Sequence, residues 1–93
     1  MSNKKKTITE IIEVTTPTCG QCKMIAPAVK KLMDSTIGIK FTIVDGTQDK
    51  ALCEKHNIVK VPVFVIKYSN GEEAVLRDGN VYHLKKCLEY ASK

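Results

Sequence analysis

Tryptophan is absent from this chain, and aromatic residues make up only 5% of its 93 positions. Proline and glycine are also sparse, at three and five residues, so it is neither a low-complexity linker nor a proline-rich disordered segment. Long hydrophobic runs are missing too. Stretches such as Val61 to Ile66 fall far short of the roughly 18 to 20 apolar residues that a membrane span needs, so no membrane is expected as a partner. The start is basic at Lys4, Lys5 and Lys6, but Thr9 and Glu10 break the next stretch before a signal-peptide core can form. The expectation is a cytoplasmic, soluble monomer. Cysteine is limited to positions 19, 22, 53 and 87, too few and too unevenly spaced for the disulfide framework of a small secreted scaffold. In a reducing compartment a close pair points to redox or metal chemistry.

What is present is the composition of an ordinary globular chain, 43% hydrophobic and 27% charged, with length for one domain over 1–93 and a basic, frayed arm at 1–7. The formal net charge of +5 is spread along the chain outside the Lys4–Lys6 cluster, and aromatics to interleave with it are scarce. It therefore reads as a solvated surface rather than a nucleic-acid interface.

The pattern along the chain alternates strand and helix. Ile8 to Val14 is rich in β-branched residues and nearly continuous in apolarity at Ile11, Ile12 and Val14, as in a central strand buried on both faces. Glu13 then stands out, because a carboxylate inside a buried strand is costly without a partner or a task; a register turning it outward is the alternative. From Cys19 onward Cys22, Ile25, Ala26, Val29, Leu32 and Met33 recur at helical spacing, with Pro27 inside, where it should kink the axis. Gly38 closes the segment. Ile39 to Asp45 comes next as a strand with Ile39, Phe41 and Ile43 alternating against Lys40 and Thr42, so strand, helix and strand form a βαβ unit with parallel strands.

Asp49 to His56 suits a short helix with Ala51 and Leu52 turned inward, and Val61 to Ile66 a buried strand that opens on Pro62. Ser69-Asn70-Gly71-Glu72 signals a hairpin, so Glu73 to Arg77 returns antiparallel. Val81, Leu84, Cys87, Leu88 and Ala91 share one face of a final helix.

Chemistry concentrates at Cys19-Gly20-Gln21-Cys22. A thiol reacts as its thiolate, and a helix N-terminus favours the anion through unpaired N–H groups and the helix dipole, which suits Cys19 as nucleophile. Cys22, one turn on and more buried, suits the resolving thiol. Gly20 leaves the approach to the sulfur open, and Gln21 is polar and exposed. A proline at the start of a buried strand, as at Val61-Pro62, is either a tolerated strand beginning or a cis peptide.

These residues carry a resemblance. Cys19-Gly20-Gln21-Cys22-Lys23-Met24-Ile25-Ala26-Pro27, with Glu13 six residues before the first cysteine and Val61-Pro62, Asn70-Gly71 and Gly79 in order, is similar to the thioredoxin family, over about residues 8 to 92. The resemblance implies an α/β thioredoxin-like fold: a four-stranded mixed sheet of order 2-1-3-4 flanked by three helices, without the family's extra N-terminal strand and helix. It implies a cis peptide before Pro62 facing the dithiol, with Val61, Pro62, Gly20, Gln21, Thr18 and Gly79 around the substrate. It implies a Glu13 that moves the proton of the second cysteine.

The activity implied is thiol-disulfide exchange on protein disulfides through a mixed disulfide. No cofactor beyond the Cys19-Cys22 couple is implied, and electrons would come from a thioredoxin-reductase-like or glutathione-based donor. The chain departs from the family at Thr15 and Thr18, where tryptophans are common, at Gln21, where proline is usual, and at Phe41, where the buried acid commonly has a lysine neighbour.

Three alternatives remain. One is a glutathione-linked, glutaredoxin-like protein, towards which Thr16-Pro17-Thr18 leans. Another is a zinc site from Cys19, Cys22, Cys53 and His56, or from His83 and Cys87, on spacing alone. The third is a thioredoxin-fold adaptor that docks a partner without chemistry.

Overall fold

The computed structural model describes residues 7–91, with side chains through Glu89, so residues 1–6 of the basic arm and the Ala91 side chain lie outside the described residues. The element order is β1 (Ile8–Thr15), α1 (Gly20–Ser35), β2 (Lys40–Asp45), α2 (Lys50–Lys55), β3 (Val63–Tyr68), β4 (Glu73–Leu76) and α3 (Val81–Ala91). The strands form one sheet in the order β2-β1-β3-β4. β1 runs parallel to β2 and antiparallel to β3, which pairs antiparallel with β4.

The central position of β1 explains its nearly unbroken apolarity. Its two faces feed two separate apolar clusters. Ile8, Ile11, Phe64 and Ile66 pack with Val29 of α1 and Leu84 and Leu88 of α3. Ile12, Val14, Val63 and Val65 pack on the opposite side, with Leu52 and Cys53 of α2 and Ile58 against them. Ile8 and Ile11 share a face despite being three apart, because the β1–β3 register shifts between Ile8 and Glu10; the extra residue restores the alternation.

Helix α1 runs through Pro27 without interruption, although the proline leaves one backbone acceptor of the preceding turn without its N–H. It ends at Thr36, whose hydroxyl donates to the Leu32 carbonyl (2.6 Å), and Gly38 then takes the left-handed φ of 84° that turns the chain into β2. The hairpin turns where expected, with Gly71 at φ 90° and the Glu72 N–H held by Asn70 Oδ1 at 2.9 Å.

Several expectations are corrected. Ala26 and Ala51 are exposed rather than inward. The buried stripe of α1 passes through Cys22, Ile25, Val29, Leu32 and Met33 and leaves Ala26 at its solvent edge. The six-residue α2 turns Leu52, Cys53 and His56 to the protein, and Ala51 lies off that arc. Ile43 shares the face of Phe41 but is 58% exposed, because β2 is an edge strand. β3 begins at Val63, two residues later than expected, since Val61 and Pro62 belong to the approaching loop.

Phe64, with no exposed surface at the centre of the larger cluster, is the side chain on which the β3–α1–α3 packing converges. Phe64→Ala should lower unfolding stability by about 3–5 kcal/mol, read as a reduced urea midpoint at unchanged slope.

Candidate active site

The sheet brings the end of β1 and the start of β3 to the same edge, since Val14 lies opposite Val63 in the antiparallel register. The chain leaving β1 at Thr15 makes a tight turn, with the Cys19 N–H bonded to the Thr16 carbonyl at 3.2 Å, and enters α1. Cys19 is the N-cap of that helix. Its backbone is extended (φ −80°, ψ 109°), and its sulfur accepts the Cys22 N–H at 3.0 Å, the position a serine or aspartate oxygen ordinarily takes.

The two cysteines therefore have different environments. Cys19 is half-buried at the helix mouth, and Cys22 is 6% exposed on the face that packs on the sheet. Their Cα atoms are 5.3 Å apart and their sulfurs stand at disulfide distance. Gly20 and Gln21 between them are exposed, as is Thr18 before them, and a side chain on Gly20 would meet nothing within 4 Å. The entry to the sulfur is open from that side.

The Val61-Pro62 peptide is cis, and the Val61 carbonyl oxygen lies 3.7 Å from Cys19 Sγ. Gly79 closes the other side of Pro62. A Cβ there would stand 2.8 Å from Pro62 Cγ and 3.1 Å from its carbonyl oxygen, and the residue adopts φ 63°, so glycine is required twice over. Cys19, Cys22, Val61, Pro62 and Gly79 are thus brought together.

Glu13 is buried at 4% exposure, which settles the alternative of an outward register. It shares the sheet face of Ile11 and its cross-strand partner Phe64, the face that α1 covers through Val29. Glu10, by contrast, has partners: it accepts from the Thr42 hydroxyl at 3.2 Å and lies 3.9 Å from Lys67 Nζ. No such partner meets the Glu13 carboxyl among the described residues, and burial alone pushes its pKa above the ordinary carboxylate value.

The remaining cysteines sit elsewhere. Cys53 Sγ points at the Gly46 carbonyl (3.6 Å), and His56 Nε2 lies 3.3 Å from Glu73. The ligand set that spacing allowed for zinc is therefore not assembled, and among the described residues no three His, Cys, Asp or Glu side chains are gathered to hold a metal ion. His83 instead engages Asp78 at 2.5 Å, and burial pushes the Cys87 thiol up.

The thioredoxin family profile matches residues 2–89. The chain belongs to the thioredoxin family. Thioredoxin-1 of Caenorhabditis elegans is 36% identical over 76 residues, covering 80% of this chain and 65% of that protein. Thioredoxin Asp f 28 of Aspergillus fumigatus is 30% identical over 76 residues, covering 80% and 69%. The chain thus spans about two thirds of the length of these relatives. Among solved structures, thioredoxin f of the spinach chloroplast in its short form superposes with a TM-score of 0.82 at 25% identity, over 94% of this chain and 80% of that one. The four-stranded mixed sheet of order 2-1-3-4 with three helices is the thioredoxin fold.

One residue at the edge of this site carries no signal in the sequence. Arg77, just beyond β4, donates to the carbonyls of His56 (2.6 Å) and Asn57 (3.0 Å) at the exit of α2. Its partners are 20 and 21 residues away, so no local pattern announces them.

Two consequences can be measured. Because Glu13 binds its proton more tightly folded than unfolded, stability falls as pH rises from the ordinary carboxylate value through the raised one, and the cost is complete above it. Glu13→Gln should therefore stabilise the protein at pH 7 by roughly 1–3 kcal/mol, and the gain should vanish on acidification below about pH 4, as read by thermal melts across pH. Gly79→Ala adds a methyl against Pro62 and forces a left-handed alanine, and should cost about 1–3 kcal/mol in denaturant unfolding.

Proposed function

We propose that this protein is a dithiol-disulfide oxidoreductase that reduces protein disulfides through Cys19-Gly20-Gln21-Cys22. The observation that carries this is the placement of Cys19 Sγ at the N-cap of α1, 3.0 Å from the Cys22 N–H and 3.7 Å from the Val61 carbonyl. The helix N-terminus stabilises a thiolate there, and the adjoining Val61-Pro62 loop offers backbone to an extended peptide.

The Cys19 thiolate attacks one sulfur of the target disulfide. A bond forms between Cys19 and that sulfur, and the target's other sulfur departs as a thiolate. Cys22 then loses its proton to the Glu13 carboxylate and attacks Cys19, forming the Cys19–Cys22 disulfide and releasing the second target sulfur. Glu13 returns its proton to a departing thiolate, so the target gains two electrons and the protein loses them. A raised pKa suits Glu13 for this traffic near neutral pH.

Thr18, Gly20 and Gln21 border the approach, leaving the target disulfide room to align with Cys19, and Gly79 backs Pro62. A thioredoxin-reductase-like or glutathione-based donor would restore the dithiol, and the setting is a reducing one such as the cytoplasm.

Cys22→Ser should accumulate mixed disulfides between Cys19 and its targets, visible as thiol-sensitive adducts on non-reducing gels. Cys19→Ser should form none. An absence of adducts with Cys22→Ser would overturn the two-cysteine mechanism, and adducts composed solely of glutathione would move the protein to the glutaredoxin-like class.

A further inference from the structure

Helix α2 is short, spanning Lys50–Lys55 with His56 as its C-cap, and the N–H groups of His56 and Asn57 close its last turn on the Leu52 and Glu54 carbonyls at 3.2 and 3.3 Å. Two further contacts join its end to β4: Glu73 Oε1 lies 3.3 Å from His56 Nε2 and 3.6 Å from Lys55 Nζ. Arg77 completes the junction with charge-assisted bonds to the His56 and Asn57 carbonyls at 2.6 and 3.0 Å. At Asn57 the backbone turns left-handed (φ 53°), and the Ile58 N–H returns to the Cys53 carbonyl at 2.8 Å.

From there the chain runs to Val61. Val59 is 90% exposed, and no backbone hydrogen bond fixes Val59 or Lys60 among the described residues. The far end of this segment is Pro62, closed by Gly79. Arg77 and Gly79 are two residues apart, so the exit of β4 fastens the segment at both ends.

We propose that Arg77 is a positioning residue for substrate recognition: by holding the end of α2, it sets the loop 58–62 and so the place of the Val61-Pro62 backbone beside Cys19. The proposal rests on the oxidoreductase reading. It concerns the protein substrate, which must lie along the loop, and not the intrinsic reactivity of the Cys19 sulfur, which is set by the α1 N-terminus.

The test uses Arg77→Met, which keeps the apolar stem and removes the donors, and Arg77→Lys, which restores a single charge. Reduction of a disulfide-bonded protein such as insulin is compared with reduction of the small aromatic disulfide DTNB. With Arg77→Met, which removes both bonds, KM for the protein disulfide should rise up to about tenfold, while the DTNB rate stays within about twofold. Arg77→Lys should recover part of the loss. Amide hydrogen exchange should quicken at Val59, Lys60 and Val61 and not in β1.

An unchanged KM, or equal losses on both disulfides that track lowered stability, would overturn the proposal. Wild-type protein inactive on both disulfides would overturn the oxidoreductase reading itself, an outcome distinct from a failure of Arg77 alone.

Discussion

The structure depends on one meeting point, where the sulfur that caps α1 touches the loop entering β3. For Cys19 to cap the helix and also lie 3.7 Å from the Val61 carbonyl, the end of β1 and the beginning of β3 must reach the same edge of the sheet. The antiparallel pairing of Val14 with Val63 does this, because it sets the residues after one strand beside those before the other. The parallel pairing of β1 with β2 requires a crossover, and α1 is that crossover, so its N-terminus is delivered to this edge as well. The site is thus a consequence of strand direction before it is a consequence of any side chain.

Burial then gives two chemically identical thiols different surroundings. Cys19 is half-buried at the helix N-cap, where its sulfur accepts the Cys22 N–H, while Cys22 is buried within α1. Glu13 costs the fold stability, since its charge is buried without a partner where Glu10, three residues earlier, has Thr42 and Lys67. A purely structural strand would fill that position with an apolar residue. An acid there suits the proton transfer proposed for Cys22, because desolvation raises its pKa above the ordinary carboxylate value. Cys87 shows the opposite case: burial raises its thiol where no helix N-terminus lowers it, so it stays protonated and packs as a small hydrophobe.

The elements were legible where periodicity is strong. The β-branched run at Ile8–Val14, the three-and-four spacing after Cys19 and the Asn70-Gly71 turn each specify local geometry directly. The cis peptide and the role of Gly79 were legible only through family resemblance, because nothing in the local pattern of Val61-Pro62 decides between isomers, and the partner of Gly79 lies 17 residues earlier in the chain. For Ala26 and Ile43, periodicity gives the direction in which a residue points, whereas exposure depends on where neighbouring elements end; for Ala51, a helix of six residues offers too few turns to fix the inward face. The Arg77 clamp was invisible because both its acceptors are backbone carbonyls, which leave no residue-type signature.

The same clamp shows why the hairpin between β3 and β4 matters to a site that it does not touch. Partners in this pair step in opposite directions along the chain, Phe64 with Leu76 and Val65 with Val75. Continued past the strand ends, that register brings Arg77 level with Val63, Asp78 opposite Pro62 and Gly79 opposite Val61. The length of the turn at Ser69 to Glu72 thus sets how far the residues after β4 reach, and Gly79 arrives beside the Val61-Pro62 pair. One residue inserted in that turn would slip every pairing by one and move Gly79 from its place beside Pro62, unless a bulge absorbed the extra residue. The Asn70-Gly71 turn, with its left-handed glycine and the Asn70 cap on Glu72, is thus a constraint on the active site exercised through register alone.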